Sequence, residues 1–179
     1  MNNPPDVVYW QEALPILQMG LLMDQNKKQD DELLQLVTFS IGEEEFGVDI
    51  LKVQEIIRTM EITKVPRAES FVEGVINLRG KVIPILDLRR RFKLPSKPHD
   101  KHTRIIVIEM NAMIVGFVVD SVSQVLRIPS NTVEPPPPVV AGVDSEYING
   151  VGKLQDRLLI LLDLNKLLSS ADLEALSQM

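Results

Sequence analysis

Glu55, Arg79, Asp87 and the pair His99 and His102 are the residues of this 179-residue chain that first invite a chemical reading. His99-Asp100-Lys101-His102 offers two imidazoles and a carboxylate, the raw material of a small metal site. It sits beside Pro95 and Pro98, so a solvent-exposed connection is the simpler reading. Gly74 to Lys81 has the look of a phosphate loop, but five residues separate its glycines where the loop needs four. Val82 stands where Ser or Thr would hold magnesium, and the surrounding pattern is a hairpin. No Gly-x-Ser-x-Gly elbow occurs, and there is no Cys to act as nucleophile, thiolate ligand or disulfide partner. The residues therefore predict no enzyme, no cofactor and no resident metal.

Charge carries a different message. The net charge is −6, yet residues 64–104 hold 11 Lys or Arg against 4 acids, and residues 1–32 hold 6 acids against 2 bases. Blocks of this kind select partners electrostatically or simply face solvent. Phe71 and Phe92 are the only aromatics in the basic block, too few for a base-stacking platform, so nucleic acid is not expected. No run approaches the roughly 18 apolar residues of a membrane helix. The longest candidate, Ala13 to Met23, is broken by Pro15, Gln18 and Gly20, so a cytoplasmic chain without membrane insertion is expected.

The elements that must position these residues are short strands. Apolar or β-branched runs recur from Leu33 onward with turn signals between them, and aromatics are only 4%, so the core is built from Val, Ile and Leu. Residues 71–88 align without gaps onto 147–164, matching Gly74 to Gly150, Leu78 to Leu154 and Asp87 to Asp163. Upstream, Gly47 matches Gly116, Val53 matches Val122 and Arg58 matches Arg127. The chain is thus an internal duplication of a small β unit, with residues 93–103 as the connection. Expected boundaries are a separate extension at 1–32, a first barrel at 33–100, and a second barrel with a C-terminal helix at 101–179. Pro84 predicts an edge or bulge for its strand. The extension carries a weak helical stripe at Trp10, Leu14, Leu17 and Leu21. Its removal is expected to leave the barrels folded.

Duplication also sorts the candidates. Gly74, Gly150, Asp87 and Asp163 recur and read as structural, the aspartates as helix caps. Ser169 with Asp172 predicts a capped final helix. Arg79 and Glu55 do not recur, for they face Gln155 and Gln124. A guanidinium at a hairpin tip, beside Gly80, suits a carboxylate or carbonyl on a partner.

Asp49-Ile50-Leu51-Lys52-Val53-Gln54-Glu55-Ile56, Gly74-Val75-Ile76-Asn77-Leu78-Arg79-Gly80 and Pro84-Ile85-Leu86-Asp87-Leu88 closely resemble the CheW family of chemotaxis coupling proteins. The resemblance covers about residues 34–170. It implies two five-stranded SH3-like β-barrels in an all-β fold, with a hydrophobic groove between them. It also implies a non-enzymatic scaffold linking the cytoplasmic tips of methyl-accepting chemoreceptors to the regulatory domain of the histidine kinase CheA, at membrane-associated arrays. Carried over by motif, Val53, Glu55, Asn77, Leu78, Arg79 and Gly80 are the expected partner-binding residues. With no receiver or kinase segment among these residues, the resemblance points to the adaptor rather than to CheV or CheA. Two other readings stay open: an adaptor of a pilus or developmental pathway, and a small-molecule sensor using the groove.

Overall fold

The computed structural model describes residues 14, 15, 18, 19, 32–137 and 146–179. Eleven strands are present among them: β1 (Leu33–Ile41), β2 (Glu44–Asp49), β3 (Val53–Arg58), β4 (Val72–Leu78), β5 (Lys81–Asp87), β6 (Arg104–Met110), β7 (Met113–Val119), β8 (Ser121–Pro129), β9 (Val133–Glu134), β10 (Ile148–Lys153) and β11 (Leu158–Leu162). Two short helices, α1 (Leu88–Arg91) and α2 (Ser170–Ser177), follow β5 and the last strand. The fold is all-β in its framework, with two sheets of five and six strands, consistent with the two expected barrels.

The sheets do not follow the expected division of the chain at residue 100. One has the order β3-β6-β7-β5-β4, and the other β8-β1-β2-β11-β10-β9. Each therefore takes strands from both repeats. The first repeat, β1 to β5, lends β1 and β2 to the second sheet, and the second repeat lends β6 and β7 to the first. The crossing is made at the 3-10 turn Ile50–Lys52, where the Asp49 carboxylate accepts from the Leu51 N–H, and again at Asp120. The second sheet also has six strands instead of five, because the two-residue β9 adds to its edge.

Duplication survives this exchange residue by residue. Val37 pairs with Val125 in β1 and β8, and the corresponding Ile106 pairs with Ile56 in β6 and β3. The single parallel contact in each sheet also corresponds, Ile85 with Gly116 and Leu161 with Gly47. The Asp87 N–H donates to Phe71 O, and the Asp163 N–H to Tyr147 O, both at 2.8 Å.

Pro84 sits in an interior strand and not at an edge, since β5 lies between β7 and β4. The other expectation, a bulge, is met by the register break between Val72 and Gly74 beside the Val75–Pro84 pair. The register partner of Pro84 is Val75, whose N–H donates to Thr63 O and whose carbonyl accepts from Thr63 N. No donor is asked of residue 84 there, so a proline is tolerated.

Three apolar clusters hold the sheets. Ile57, Ile76, Ile83, Ile85, Ile105, Val107 and Val118 fill the first sheet, and Leu36, Ile128, Leu159 and Leu161 fill the second. The largest lies between them, joining Val37, Phe39, Ile56, Ile106, Phe117, Leu162 and Leu164. Stacked rings run through it from Phe39 to Phe46, Phe92 and Tyr147, with successive centroids 5.8, 5.4 and 5.2 Å apart. Leu14 of the extension belongs to this cluster and is 1% exposed. Trp10, Leu17 and Leu21 of the same stripe lie outside the described residues.

Candidate functional site

Two sequence candidates meet at one place. Arg79 Nη1 and Nη2 donate to Glu55 Oε1 and Oε2 at 2.6 and 2.8 Å, a bidentate pair between the β4–β5 turn and β3. Glu55 is mostly covered, whereas the Arg79 side chain is 69% exposed. The hydrogen bonds, then the negative charge of Glu55, push the Arg79 pKa up, so the guanidinium is charged throughout the accessible range. Gln54 beside it donates its amide to Glu109 of β6 at 2.9 Å.

The turn that presents Arg79 is unusual. Leu78 pairs with Lys81, leaving Arg79 and Gly80 as a two-residue loop with φ of 51° and 82°. Two left-handed residues in succession make the hairpin turn whose first position favours Asn, Asp or Gly. A long cation there carries a conformational cost with no burial to offset it. Asn77 supplies what the turn lacks, its Oδ1 accepting from the Gly80 N–H at 2.9 Å. Leu78 is half-buried against the first sheet's cluster. Asn77, Leu78 and Gly80 thus shape the turn, and Arg79 is the group it displays.

Val53, expected at the same face, turns its side chain into the core and is 1% exposed. A register break between Val53 and Glu55 against β6 explains why both cannot project outward in simple alternation. Only its backbone is available to a neighbour.

The recurring residues hold matching places. Gly74 and Gly150 each sit at a register break, in β4 and β10. A Cβ on Gly74 would meet Thr63 O at 2.2 Å, and one on Gly150 would meet Val133 Cγ1 at 2.6 Å. Asp87 accepts from the Arg89 N–H at 2.9 Å to cap α1, and Asp163 from the Asn165 N–H at 3.0 Å to cap a 3-10 turn. Ser169 and Asp172 form a reciprocal capping box on α2.

Sequence reasoning missed the links that tie the two sheets. Arg89 of α1 donates from Nε and Nη2 to Asp120 at 2.8 and 2.6 Å, and Asp120 Oδ2 also accepts from the Gly42 N–H of the β1–β2 turn. Burial alone would raise the Asp120 carboxyl, but Arg89 and the Gly42 N–H outweigh it and hold the carboxyl below the usual range. Arg91 donates to Leu167 O at 2.8 Å and lies over the Phe71 ring. The run Arg89-Arg90-Arg91 was visible, but nothing in the sequence pointed to Asp120 or Leu167.

Among the described residues no three of His, Cys, Asp and Glu converge as a metal site. His99 Nδ1 is 3.1 Å from Thr59 Oγ1, and Asp100 accepts from the His102 and Thr103 N–H groups. Where the sheets meet, a hollow of about 210 Å³ is lined by Asp49, Lys52, Glu109, Asn149 and Asn165 beside Val48, Ile108 and Leu162.

No helix among the described residues is long and apolar enough to cross a membrane. The model of the CheW-like domain matches residues 35–172. A chemotaxis protein CheW of Klebsiella aerogenes is 41% identical over 139 residues, covering 78% of this chain and 84% of that protein. One of Treponema pallidum is 35% identical over 154 residues, covering 84% and 91%. Among solved structures, the scaffolding protein TtCheW of Thermoanaerobacter tengcongensis superposes with a TM-score of 0.73 at 37% identity, covering 82% of this chain and 95% of its own. Matched in sequence across both repeats and in fold to a solved relative, this chain belongs to the CheW-like family.

Proposed function

We propose that this chain is a non-enzymatic chemotaxis scaffold that couples the cytoplasmic tips of chemoreceptors to the histidine kinase CheA. The observation that carries the reading is the Arg79–Glu55 pair. An exposed guanidinium is held in a fixed direction by a carboxylate on a neighbouring strand, on a turn whose backbone disfavours that residue type. The other repeat has glutamines at both positions. The second hairpin carries its guanidinium two positions on, at Arg157, paired with Glu45 and 36% exposed against 69% for Arg79. Arg79 is therefore the more displayed charge and serves recognition better than folding. Preset side chains lower the entropy lost on docking, which favours a small interface with fast exchange. Val53 contributes to that face only through its backbone, while Asn77, Leu78 and Gly80 set the turn. The scaffold works in the cytoplasm at receptor arrays, and needs no cofactor or metal.

Reconstitution tests this reading. Receptor-containing membranes and CheA are assayed for kinase phosphorylation with and without the purified chain. The expected result is a rise in phosphorylation that requires receptor, chain and kinase together, with no ATP turnover by the chain alone. Kinase output indifferent to the chain, or ATP hydrolysis that co-purifies with it, would overturn the reading.

A further inference from the structure

The face beside Arg79 is already occupied. Leu14, Pro15, Gln18 and Met19 are helical, and Leu14 and Gln18 stand four residues apart, on one side of a helix. Leu14 is buried in the central cluster and lines an open hollow with Gln54, Glu55 and Arg79. Gln18 Nε2 donates to Ile50 O at 2.8 Å and to Val53 O at 2.6 Å. Both carbonyls belong to the crossing between sheets, and Val53 lies at the register break of β3 against β6. Such a break leaves backbone groups in search of partners. The site therefore offers an apolar slot, two carbonyl acceptors and a displayed guanidinium, and residues 14 and 18 of the same chain take the first two.

We infer that the segment carrying Leu14 and Gln18 is a cis-bound occupant of the docking face, displaced by a partner helix that offers an apolar side chain and, four residues on, a carboxamide. A helix laid in a groove is recognised by anchors at this spacing. Displacement makes partner binding report on the extension: if the segment is docked in roughly nine molecules of ten, the apparent affinity is reduced about tenfold. The inference rests on the proposed role of the Arg79 face in receptor binding.

Two measurements on the full chain separate the claims. Hydrogen exchange without any partner compares wild type with Leu14→Ser and Gln18→Ala; both variants should exchange faster at residues 14–19 and 50–55 while the strands stay protected. Unchanged exchange at residues 50–55 in Gln18→Ala, the variant that leaves the core intact, would overturn the docking. Titration with a soluble receptor cytoplasmic fragment should then show Leu14→Ser binding about tenfold tighter than wild type, with a smaller gain for Gln18→Ala. Equal affinity in variants that exchange faster, with Arg79→Asp still weakening binding, would overturn the displacement and leave the receptor-binding role standing. No binding by any of these chains would overturn both.

Discussion

Asp87 and Arg79 lie eight positions apart and answer to different demands. Asp87 is 6% exposed and accepts from the Arg89 N–H in the first turn of α1, so Asp87→Ala removes a cap and should cost about 0.5–2 kcal/mol in denaturant unfolding. Arg79→Ala, at an exposed turn, should leave the unfolding midpoint unchanged within error, because exposed pairs contribute little to stability. A reversed ranking would mean that the pair belongs to the fold. Asp120 supplies a pH test. Its folded pKa lies below the unfolded one, so its contribution is in place above the ordinary carboxylate range and is lost as pH falls through and below that range. Arg89→Ala should remove much of that dependence and lower stability at neutral pH by about 1–3 kcal/mol, since it strips a largely buried carboxylate of its cation. Unfolding at about pH 7 and about pH 3.5, either side of the usual carboxylate values, checks both variants. An equally steep loss in Arg89→Ala would show that other carboxylates govern acid unfolding.

The strand exchange is a matter of elements, and the sequence conceals it. Repeats align identically whether a hairpin packs on its own copy or on the other, since register depends on relative spacing and side-chain alternation. Gly74, Gly150, Asp87 and Asp163 were legible as structural because each recurs in its own copy. The Glu55–Arg79 contact was not, because 24 residues separate its partners and neither recurs. Val53 was misplaced for a related reason: the break in β3 that buries it cannot be seen in an alternation count. Leu14 was hidden by Pro15, which weakens a helical stripe on paper, yet both residues are helical. The exchange has a consequence for folding. Fragments 33–100 and 101–179, each missing two strands of the sheet that it should complete, ought to be unfolded alone and to regain β signal when mixed. Circular dichroism of either fragment alone with cooperative unfolding would contradict the interleaved sheets. Removal of residues 1–32, by contrast, leaves all eleven strands, so that chain should still unfold cooperatively but at a lower midpoint, because Leu14 is lost from the core.

Viewed as one molecule, two sheets share a core and the links Arg89–Asp120 and Arg91–Leu167, which tie them into one frame. On that frame the Arg79 turn differs from its counterpart, where Gln155 stands in the matching position, and Leu14 lines the hollow beside it. A preset guanidinium on a packed platform suits a scaffold that engages partners repeatedly. Four of the eleven cations of residues 64–104 are drawn into internal ion pairs: Arg79 with Glu55, Arg89 with Asp120, Arg90 with Glu73, and Lys97 with Asp100. The net positive charge of that block is therefore a weaker guide to partners than the direction in which Arg79 is held. The most direct test of the account is the affinity of the full chain for a soluble receptor fragment, measured by calorimetry for wild type, Arg79→Ala and Arg79→Asp, with unfolding midpoints recorded alongside. The account predicts unchanged midpoints and binding weakened by at least about tenfold in Arg79→Asp, more than in Arg79→Ala, because attraction becomes repulsion. Wild-type affinity in a folded Arg79→Asp chain would contradict it.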